Sequence, residues 1–291
     1  MEDISRNTSE NIKENNDISS NNDNGKITRI KELVKQLNDA AKKYYMEDTE
    51  IMSNLEYDAL YDELSALEKE TGMVMSNSPT VKVGYEVVSE LPKEAHEHPM
   101  LSLDKTKDVG ALASWLGGQK GVISWKMDGL TVVLTYENGE MIKAVTRGNG
   151  EIGEVITNNA KVFANVPHHI PYKGKLTIRG EAVIKYSDFN AINEKITDAE
   201  SKYKNPRNLC SGSVRQLENK ITKERNVHFF AFNLVDGEDV DFHNSFKYQL
   251  DWLVQQGFTV VEHYLTDSAA LPDKVREFSE KITENDFPSD G

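Results

Sequence analysis

The segment Lys126-Met127-Asp128-Gly129 combines a candidate nucleophile with a carboxylate and a glycine. It joins two strand-like stretches, Val122 to Lys126 and Leu130 to Glu137. A lysine at the end of a strand becomes a nucleophile when desolvation or neighbouring cations favour its neutral amine. Asp128, two residues further on, shares the face of the lysine on an extended chain. Taken alone, the pattern is more typical of an exposed lysine and aspartate before a turn.

Two glycine-containing segments offer groups for phosphate and ribose. Thr146 to Glu154 contains three glycines in six residues as well as Arg147, so its backbone N–H groups and a guanidinium can face an anion. The alternative is a flexible turn. Arg179-Gly180-Glu181 lies in a strand-like stretch, where a glycine permits the close approach of a ligand or a second backbone. Glu181 is therefore a candidate for a ribose hydroxyl or a metal, and the alternative is a surface Arg–Glu pair at a bulge.

A basic stretch and an aromatic stretch follow. Lys204 to Leu217 is polar and basic in an acidic chain, and its Arg207 and Arg215 are eight residues apart, close to two helical turns. These arginines are suited to phosphates on one helix face, whereas the alternative is a solvated helix start. Phe229-Phe230-Ala231-Phe232 is typical of a core strand, one face of which offers a ring for stacking on a base. Cys210 is predicted to be a packing residue.

The composition excludes several classes of protein. The chain has 291 residues, of which 34 are basic and 48 acidic, and a net charge of −14. A domain that binds duplex DNA is usually basic, so any contact with nucleic acid must come from a local patch or from parts outside this chain. The single cysteine excludes internal disulfides and paired-cysteine zinc sites, and suits a reducing, cytoplasmic location. Neither a secretory signal nor an apolar run of the roughly 18 residues that span a membrane is present.

The pattern of apolar residues predicts three regions. Residues 1–25 form a polar tail that we expect to be disordered. Residues 26–77 contain two amphipathic helices, the second of which ends near Gly72. Residues 78–291 contain strands joined by tight turns, including Asn138-Gly139, with helices between them. Ser187 is predicted to cap one of these helices. The fold class is therefore α+β, with a mainly antiparallel sheet.

In their order along residues 27 to 291, these motifs resemble the N-terminal part of the bacterial NAD-dependent DNA ligases. Lys126 to Gly129 matches the family's adenylated-lysine motif, and the loop from Thr146, the Arg179-Gly180-Glu181 motif and the segment Asn205 to Leu217 match the family motifs that follow it.

Further similarities extend to both ends of the chain. His98 to Asp104, which includes Ser102 and Leu103, resembles the stretch that lines the adenine pocket. Tyr44 and Glu56-Tyr57-Asp58 match the helical domain that recognises the nicotinamide mononucleotide half of NAD. Ser289-Asp290-Gly291 resembles the start of a further motif.

Several positions depart from the family pattern. Asn54, Asn149 and Val155 stand where aspartates are common, Ser124 where a glutamate is usual, and Phe232 where tyrosine is usual. Phe232 keeps a ring for stacking but loses a hydroxyl. The lysines and the further modules that follow in the family lie beyond Gly291, so the resemblance implies a C-terminally incomplete nucleotidyltransferase domain.

The resemblance implies the adenylation module of an NAD-dependent DNA ligase, a helical NMN-recognition domain followed by an ATP-grasp-like ligase domain. Lys126 would attack NAD with the help of Mg2+ and release nicotinamide mononucleotide, and the complete enzyme would seal nicks in duplex DNA during replication and repair. The catalytic residues would be Lys126 and Asp128, with no metal-ligating residue assigned. The residues that bind the cofactor would be Tyr44, Tyr57, Asp58, Ser102, Leu103, Arg147, Glu181, Arg207, Arg215, Phe232 and Asp290.

Two other functions stay open at the level of sequence. One is a non-catalytic, truncated pseudoenzyme that binds NAD or a partner. The other is an RNA ligase or capping-type nucleotidyltransferase, which shares the lysine motif but uses ATP or GTP and lacks the helical segment around Tyr44 and Tyr57. A monomer without membrane contact is expected in each case.

Overall fold

The computed structural model describes residues 25–43, 51–75, 77–80, 91–100, 104–197, 202–237 and 239–291. The chain divides into two compact units, Met1–Tyr85 and Glu86–Gly291. The predicted tail, apart from Gly25, lies outside the described residues, as do Tyr44, Ser102 and Leu103. The predicted division into residues 1–25, 26–77 and 78–291 stays a prediction.

The first unit contains the two predicted helices. Helix α1 spans residues 25–43 and helix α2 spans Asn54–Thr71. Ser53 begins α2 with a capping box, in which its hydroxyl accepts from the Glu56 N–H and the Glu56 carboxylate accepts from the Ser53 N–H. Gly72 ends the helix in the left-handed region, at φ 67°, where glycine carries no steric penalty. The apolar residues that recur at helical spacing form a buried cluster, which comprises Ile30, Leu33, Val34, Leu37 and Leu64.

The second unit is built from strands and helices that alternate irregularly. The strands are β1 (Lys93–Ala95), β2 (Gly121–Ser124), β3 (Leu130–Glu137), β4 (Glu140–Thr146), β5 (Ile152–Glu154), β6 (Leu176–Val183), β7 (His228–Gly237) and β8 (His263–Thr266). The helices are α3 (Val109–Leu116), α4 (Thr157–Ala160), α5 (Tyr186–Glu194), α6 (Pro206–Val214), α7 (Asn219–Glu224), α8 (Phe246–Gln255) and α9 (Leu271–Lys281), with a 3-10 turn over Ile282–Glu284. The predicted α+β class with an antiparallel sheet is confirmed.

The central sheet has four antiparallel strands in the order β4-β3-β6-β7. Two smaller antiparallel pairs, β1–β5 and β2–β8, flank it. The predicted hairpin turn joins β3 to β4, with positive φ at Asn138 and Gly139 as a two-residue turn of this kind requires.

The two faces of this sheet have different roles. One face carries the main core, where Leu134, Tyr136, Ile178 and Phe229 are fully or almost fully buried. Side chains alternate along a strand, so the opposite face carries the residues between them, among which Thr131 is paired with Glu181 across β3 and β6. The carboxylate that the sequence singles out is therefore on the face that does not form the main core.

Two local predictions are wrong. Ser187 does not cap α5, because the helix begins at Tyr186 and the Asp286 carboxylate accepts both the Ser187 N–H (3.0 Å) and its hydroxyl (2.8 Å). Strand β2 ends at Ser124 and not at Lys126, because the chain then leaves β8 and runs beside residues 288–291. Among the helices that the structure describes, none has the length and apolar character needed to cross a membrane.

Candidate active site

The backbone around Lys126 is held from two sides. The Trp125 N–H donates to the Glu262 carbonyl at 3.4 Å, and the Lys126 N–H donates to the Gly291 carbonyl at 2.7 Å. The Asp290 N–H returns a hydrogen bond to the Lys126 carbonyl at 3.0 Å. Side chains alternate along this extended segment, so Trp125 joins an apolar cluster with Val183, whereas Lys126 is 68% exposed. The fold therefore fixes the backbone of the lysine and leaves its amine accessible.

Asp290 lies next to the candidate nucleophile. The Lys126 Nζ donates to both of its carboxylate oxygens, at 2.5 and 2.6 Å. The two residues are 164 positions apart in the sequence and meet because residues 288–291 run antiparallel to the lysine segment. The structure thus brings together two residues that the sequence proposes for one site.

Asp128 and Arg207 form the second ion pair of the site. The Arg207 Nη1 donates to Asp128 Oδ1 at 2.7 Å, and both side chains are largely buried, at 22% and 19% exposure. Arg207 sits in the first turn of α6, which Asn205 caps by accepting from the Asn208 N–H at 2.8 Å. The pair fixes the start of α6 beside the lysine segment.

Glu181 lies at the buried end of the site. Its carboxylate oxygens accept from the Gly129 N–H at 3.2 Å and from the Thr131 hydroxyl at 2.8 Å. Burial raises the pKa of Glu181 to about 7, against the lowering effects of Arg207, Thr131 and Lys126. This carboxyl group therefore gains or loses its charge close to neutral pH.

Gly129 permits the contact between the lysine loop and β6. A Cβ atom at this position would lie 2.0 Å from the Ala182 carbonyl oxygen. Gly180, within β6, is similarly enclosed, since a Cβ there would lie 2.2 Å from the Phe229 ring and 2.5 Å from the Phe230 carbonyl oxygen of β7. The close approach of a second backbone, one of the two roles considered for a strand glycine, is the one found at Gly180.

The glycine-rich loop differs from the expectation of an anion-facing backbone. The Glu151 and Ile152 N–H groups donate to Asn149 Oδ1 at 3.0 and 2.8 Å, and the Gly150 N–H donates to the Arg147 carbonyl at 3.0 Å. These groups close the loop on itself and do not face an anion. Arg147 is held at the edge of β3 by its N–H, which donates to the Thr131 carbonyl at 2.8 Å, and its Nη2 donates to the Met100 carbonyl at 3.4 Å.

Arg215 lies just past the end of α6, so it does not share the helix with Arg207 over the full two turns. Its Nε donates to Glu154 Oε2 at 2.7 Å, and its Nη1 donates to the Ser211 hydroxyl. Sequence reasoning missed Glu154 as the partner of Arg215, although the residue ends a motif that had been singled out. It also missed Thr131, for which a threonine in a strand offers no signal.

The buried thiol of Cys210 shows that charges from several elements converge here. Burial and the Glu181 carboxylate raise its pKa, while Arg207 and Arg215 lower it and Asp128 raises it. The Cys210 thiol donates to the Ala182 carbonyl at 3.1 Å, which fits the prediction of a packing residue.

Three further candidate residues lie on β7 and on α2. Phe232, on β7, packs with Phe230 against the apolar cluster that contains Trp125 and Met127. Tyr57 and Asp58 belong to α2 in the first unit, where the Tyr57 ring stacks on that of Tyr61 with centroids 6.5 Å apart.

The second unit carries an exposed lysine beside carboxylates and guanidinium groups on a mainly antiparallel α+β fold, which agrees with the nucleotidyltransferase-type ligase domain that its motifs imply. Residues 88–291 match the NAD-dependent DNA ligase adenylation domain, and residues 24–84 match the DNA ligase-like N-terminal NAD+-binding domain. The chain therefore belongs to the family of NAD-dependent DNA ligases, as the order of its motifs predicts.

Individual relatives agree with this assignment. The chain is 62% identical over 266 residues to a DNA ligase of Ruminiclostridium cellulolyticum, covering 91% of this chain and 40% of the relative. It is 61% identical over 267 residues to a DNA ligase of Lachnoclostridium phytofermentans, covering 92% and 41%. It is 40% identical over 241 residues to a DNA ligase of Helicobacter pylori strain J99, covering 80% and 36%. The chain thus spans about two fifths of the length of these curated relatives.

Proposed function

We propose that this chain transfers the adenylyl group of NAD to Lys126. The observation that carries the proposal is the position of the Lys126 amine, which is exposed on a backbone that hydrogen bonds hold from two sides. Asp290 contacts the amine directly, and the pair of Asp128 with Arg207 lies two residues further along the chain. A fixed nucleophile among oriented charges is what a phosphoryl-transfer step requires.

In the proposed step, the Lys126 ammonium group first loses a proton to water, and the Nζ lone pair of the resulting neutral amine attacks the adenylyl phosphorus. A P–N bond forms, the P–O bond to the bridging oxygen breaks, and nicotinamide mononucleotide leaves with that electron pair. The nitrogen loses a proton as the bond forms, and Asp290 Oδ1, 2.5 Å from Nζ, is placed to accept it. The product is a lysine–AMP phosphoramidate.

Arg207 and Arg215 are the proposed cations for the charge that develops on the phosphoryl oxygens. Both guanidinium groups are oriented by carboxylates, of Asp128 and Glu154 respectively, so they need little reorganisation during the reaction. Arg147 is a third candidate, although part of its donor capacity holds the Met100 carbonyl.

The described residues contain no group of three or more His, Cys, Asp and Glu side chains that could hold a metal ion. Nucleotide sites bind Mg2+ largely through substrate phosphates and water, with one or two protein carboxylates. We propose Asp128 as one such carboxylate, because it lies two residues after Lys126 in the loop that carries the nucleophile. When bound, Mg2+ would neutralise charge on the phosphates of NAD.

Different residues would contact the two halves of NAD. Glu181 would accept a ribose hydroxyl, Phe232 would stack on adenine, and Ser102 and Leu103 would line the adenine pocket. Tyr44, Tyr57 and Asp58 would contact the nicotinamide mononucleotide half. The support is the match of residues 24–84 to an NAD+-binding domain.

For the complete protein, we propose that the adenylyl group passes to the 5′-phosphate of nicked duplex DNA, which is then sealed during replication and repair. The relatives named above are DNA ligases, and this chain corresponds to about two fifths of each. We further propose a monomeric state and a cytoplasmic location, and the free, buried cysteine supports the location because it suits a reducing compartment.

The proposal is tested by incubating the chain with Mg2+ and with NAD or ATP labelled in the adenylyl group, followed by denaturing electrophoresis and peptide mass spectrometry. We expect label from NAD on the peptide that contains Lys126, and none from ATP. NAD, but not ATP, should also raise the thermal unfolding temperature. Label from ATP, label on another residue, or equal stabilisation by both nucleotides would overturn the proposal.

A further inference from the structure

The segment that carries Arg215 forms hydrogen bonds with a part of the chain that is distant in sequence. Strand β5 and helix α4, within residues 152–160, contact the end of α6 through the side chains of Glu154 and Asn159. Both are almost completely buried, at 1% and 2% exposure. Burial of a polar atom is unfavourable unless its hydrogen bond is made, so the partners of Glu154 Oε2 and Asn159 Nδ2 indicate what these two atoms do.

Glu154 holds the guanidinium group. Its Oε2 accepts from Arg215 Nε at 2.7 Å, and its own N–H donates to the Thr146 hydroxyl at 3.0 Å. The preceding residue, Gly153, is pressed against β4, since a Cβ there would lie 1.8 Å from the Thr146 carbonyl oxygen. The carboxylate is therefore fixed to the edge of the sheet and fixes the plane of Arg215 in turn.

Asn159 holds the backbone on both sides of the same arginine. Its Nδ2 donates to the Val214 carbonyl at 2.5 Å and to the Gln216 carbonyl at 2.7 Å. These carbonyls flank Arg215 directly. Only a side chain with two N–H donors on one atom can make both contacts, which an aspartate of the same shape cannot do.

A buried ion pair of this kind is a poor device for stability, because desolvation of the charges offsets most of their attraction. Instead, Glu154 and Asn159 restrict the Arg215 side chain from two directions. We infer that Glu154 and Asn159 are positioning residues for Arg215, Glu154 through the guanidinium group and Asn159 through the backbone. Arg215 then presents a preoriented cation to a phosphoryl group. This inference rests on the proposed function, which supplies that group.

The test is a double-mutant cycle on the initial rate of adenylyl transfer from NAD to Lys126. Arg215→Ala should lower the rate by about 10²–10³-fold, as the loss of one oriented donor does. Glu154→Gln and Asn159→Asp, which keep the shape of each side chain, should each lower it by about 10–100-fold, the range typical of groups that orient a functional side chain. Combining either change with Arg215→Ala should lower the rate no further than Arg215→Ala alone. Glu151→Gln, an exposed glutamate of the same loop, is the matched control and should match the wild type.

A second measurement is independent of adenylyl transfer. The Arg215 Nε–H, observed by nitrogen-edited NMR, should exchange slowly with water in the wild type and faster in Glu154→Gln, because its acceptor carries less charge. If the wild type forms the adduct, the proposed function stands. Additive losses of rate in the double-mutant cycle, or an unchanged rate of Arg215 Nε–H exchange in Glu154→Gln, would then overturn the inference alone. A wild type without adduct would overturn the proposed function, and with it the role of Arg215.

Discussion

Arg207 donates a hydrogen bond to Asp128 at 2.7 Å and so ties the first turn of α6 to the residue two positions after Lys126. Because both side chains are largely buried, the removal of either one leaves a charge that water solvates poorly. Its burial distinguishes the Asp128–Arg207 pair from the exposed ion pairs of the second unit.

Arg207→Ala should destabilise the second unit by about 1–3 kcal/mol, since it leaves the Asp128 carboxylate without its partner. The measurement is urea unfolding followed by tryptophan fluorescence, which reports on this unit because Trp115, Trp125 and Trp252 all belong to it. Arg276→Ala is the control, as it removes a pair with Asp273 whose side chains are 67% and 74% exposed. That change should cost less than about 0.5 kcal/mol, and an equal cost for the two variants would contradict the prediction.

Lys126→Ala should abolish the NAD-derived adduct and leave the unfolding midpoint close to that of the wild type, because the side chain is mostly exposed. Lys126→Arg should be equally inactive, since a guanidinium stays protonated and cannot attack phosphorus. The wild-type adduct should be labile in acid and stable to neutral hydroxylamine, as a phosphoramidate is and an acyl phosphate is not. A normal adduct in Lys126→Ala would show that another residue is the nucleophile.

Glu181→Gln should change the dependence of stability on pH. Burial raises the pKa of Glu181 from 4.5 to about 7, so between these values the folded state holds a proton that the unfolded chain releases. Its contribution to stability is therefore fully present below pH 4.5 and is lost as the pH rises through about 7. Glutamine does not titrate, so the variant does not lose stability in this pH range as the wild type does. The free energy of unfolding of the variant minus that of the wild type should therefore be about 2 kcal/mol larger at about pH 8 than at about pH 5.5. Urea unfolding at both pH values measures this, and an equal difference at the two would contradict it.

Local sequence patterns predicted much of this fold, but they did not predict contacts between residues that are far apart in the sequence. The strand-like stretch Leu130 to Glu137 has the same bounds as β3, and the Asn138-Gly139 pair predicted the hairpin, because both signals reside in adjacent residues. The contact of Lys126 with Asp290 spans 164 positions and depends on how residues 288–291 pack beside the lysine segment. No local propensity encodes such a contact, so here only the resemblance to a family placed the two residues in one site.

The same dependence on partners that local patterns do not reveal explains the wrong predictions for Ser187 and for the glycine-rich loop. Ser187 has the residue type of a helix cap, but Asp286, which is 99 positions away, accepts its N–H and hydroxyl instead. The glycine-rich loop has the composition of an anion-binding backbone, but Asn149 supplies an internal acceptor for its N–H groups. In both cases, a tertiary or local side-chain partner competes with the interpretation that composition favours.

Asn149→Asp should be nearly neutral, within about 0.5 kcal/mol, although the resemblance to the family implies an aspartate at this position. The reason is that Asn149 Oδ1 alone accepts the Glu151 and Ile152 N–H groups, and an aspartate oxygen can do the same. Asn149→Ala should cost about 1 kcal/mol, because both N–H groups lose their acceptor. Urea unfolding of the two variants distinguishes them, and a substantial gain in adduct formation by Asn149→Asp would show that the departure from the family pattern matters for chemistry.

Gly129→Ala should be severely damaging, with a loss of stability above about 2 kcal/mol and of adduct formation together. The added methyl would lie 2.0 Å from the Ala182 carbonyl oxygen, which belongs to the backbone of β6 and cannot move aside as a flexible side chain would. Relief of this clash requires the loop to leave β6, which breaks the hydrogen bond from the Gly129 N–H to Glu181 and displaces Lys126 from its neighbours. Gly118→Ala is the control, since no atom lies within 4 Å of a Cβ at that position and its stability should change by less than about 0.5 kcal/mol. Urea unfolding and adduct yield measured on both variants test the argument, and a Gly129→Ala protein as stable and as active as Gly118→Ala would refute the close packing of the lysine loop on β6.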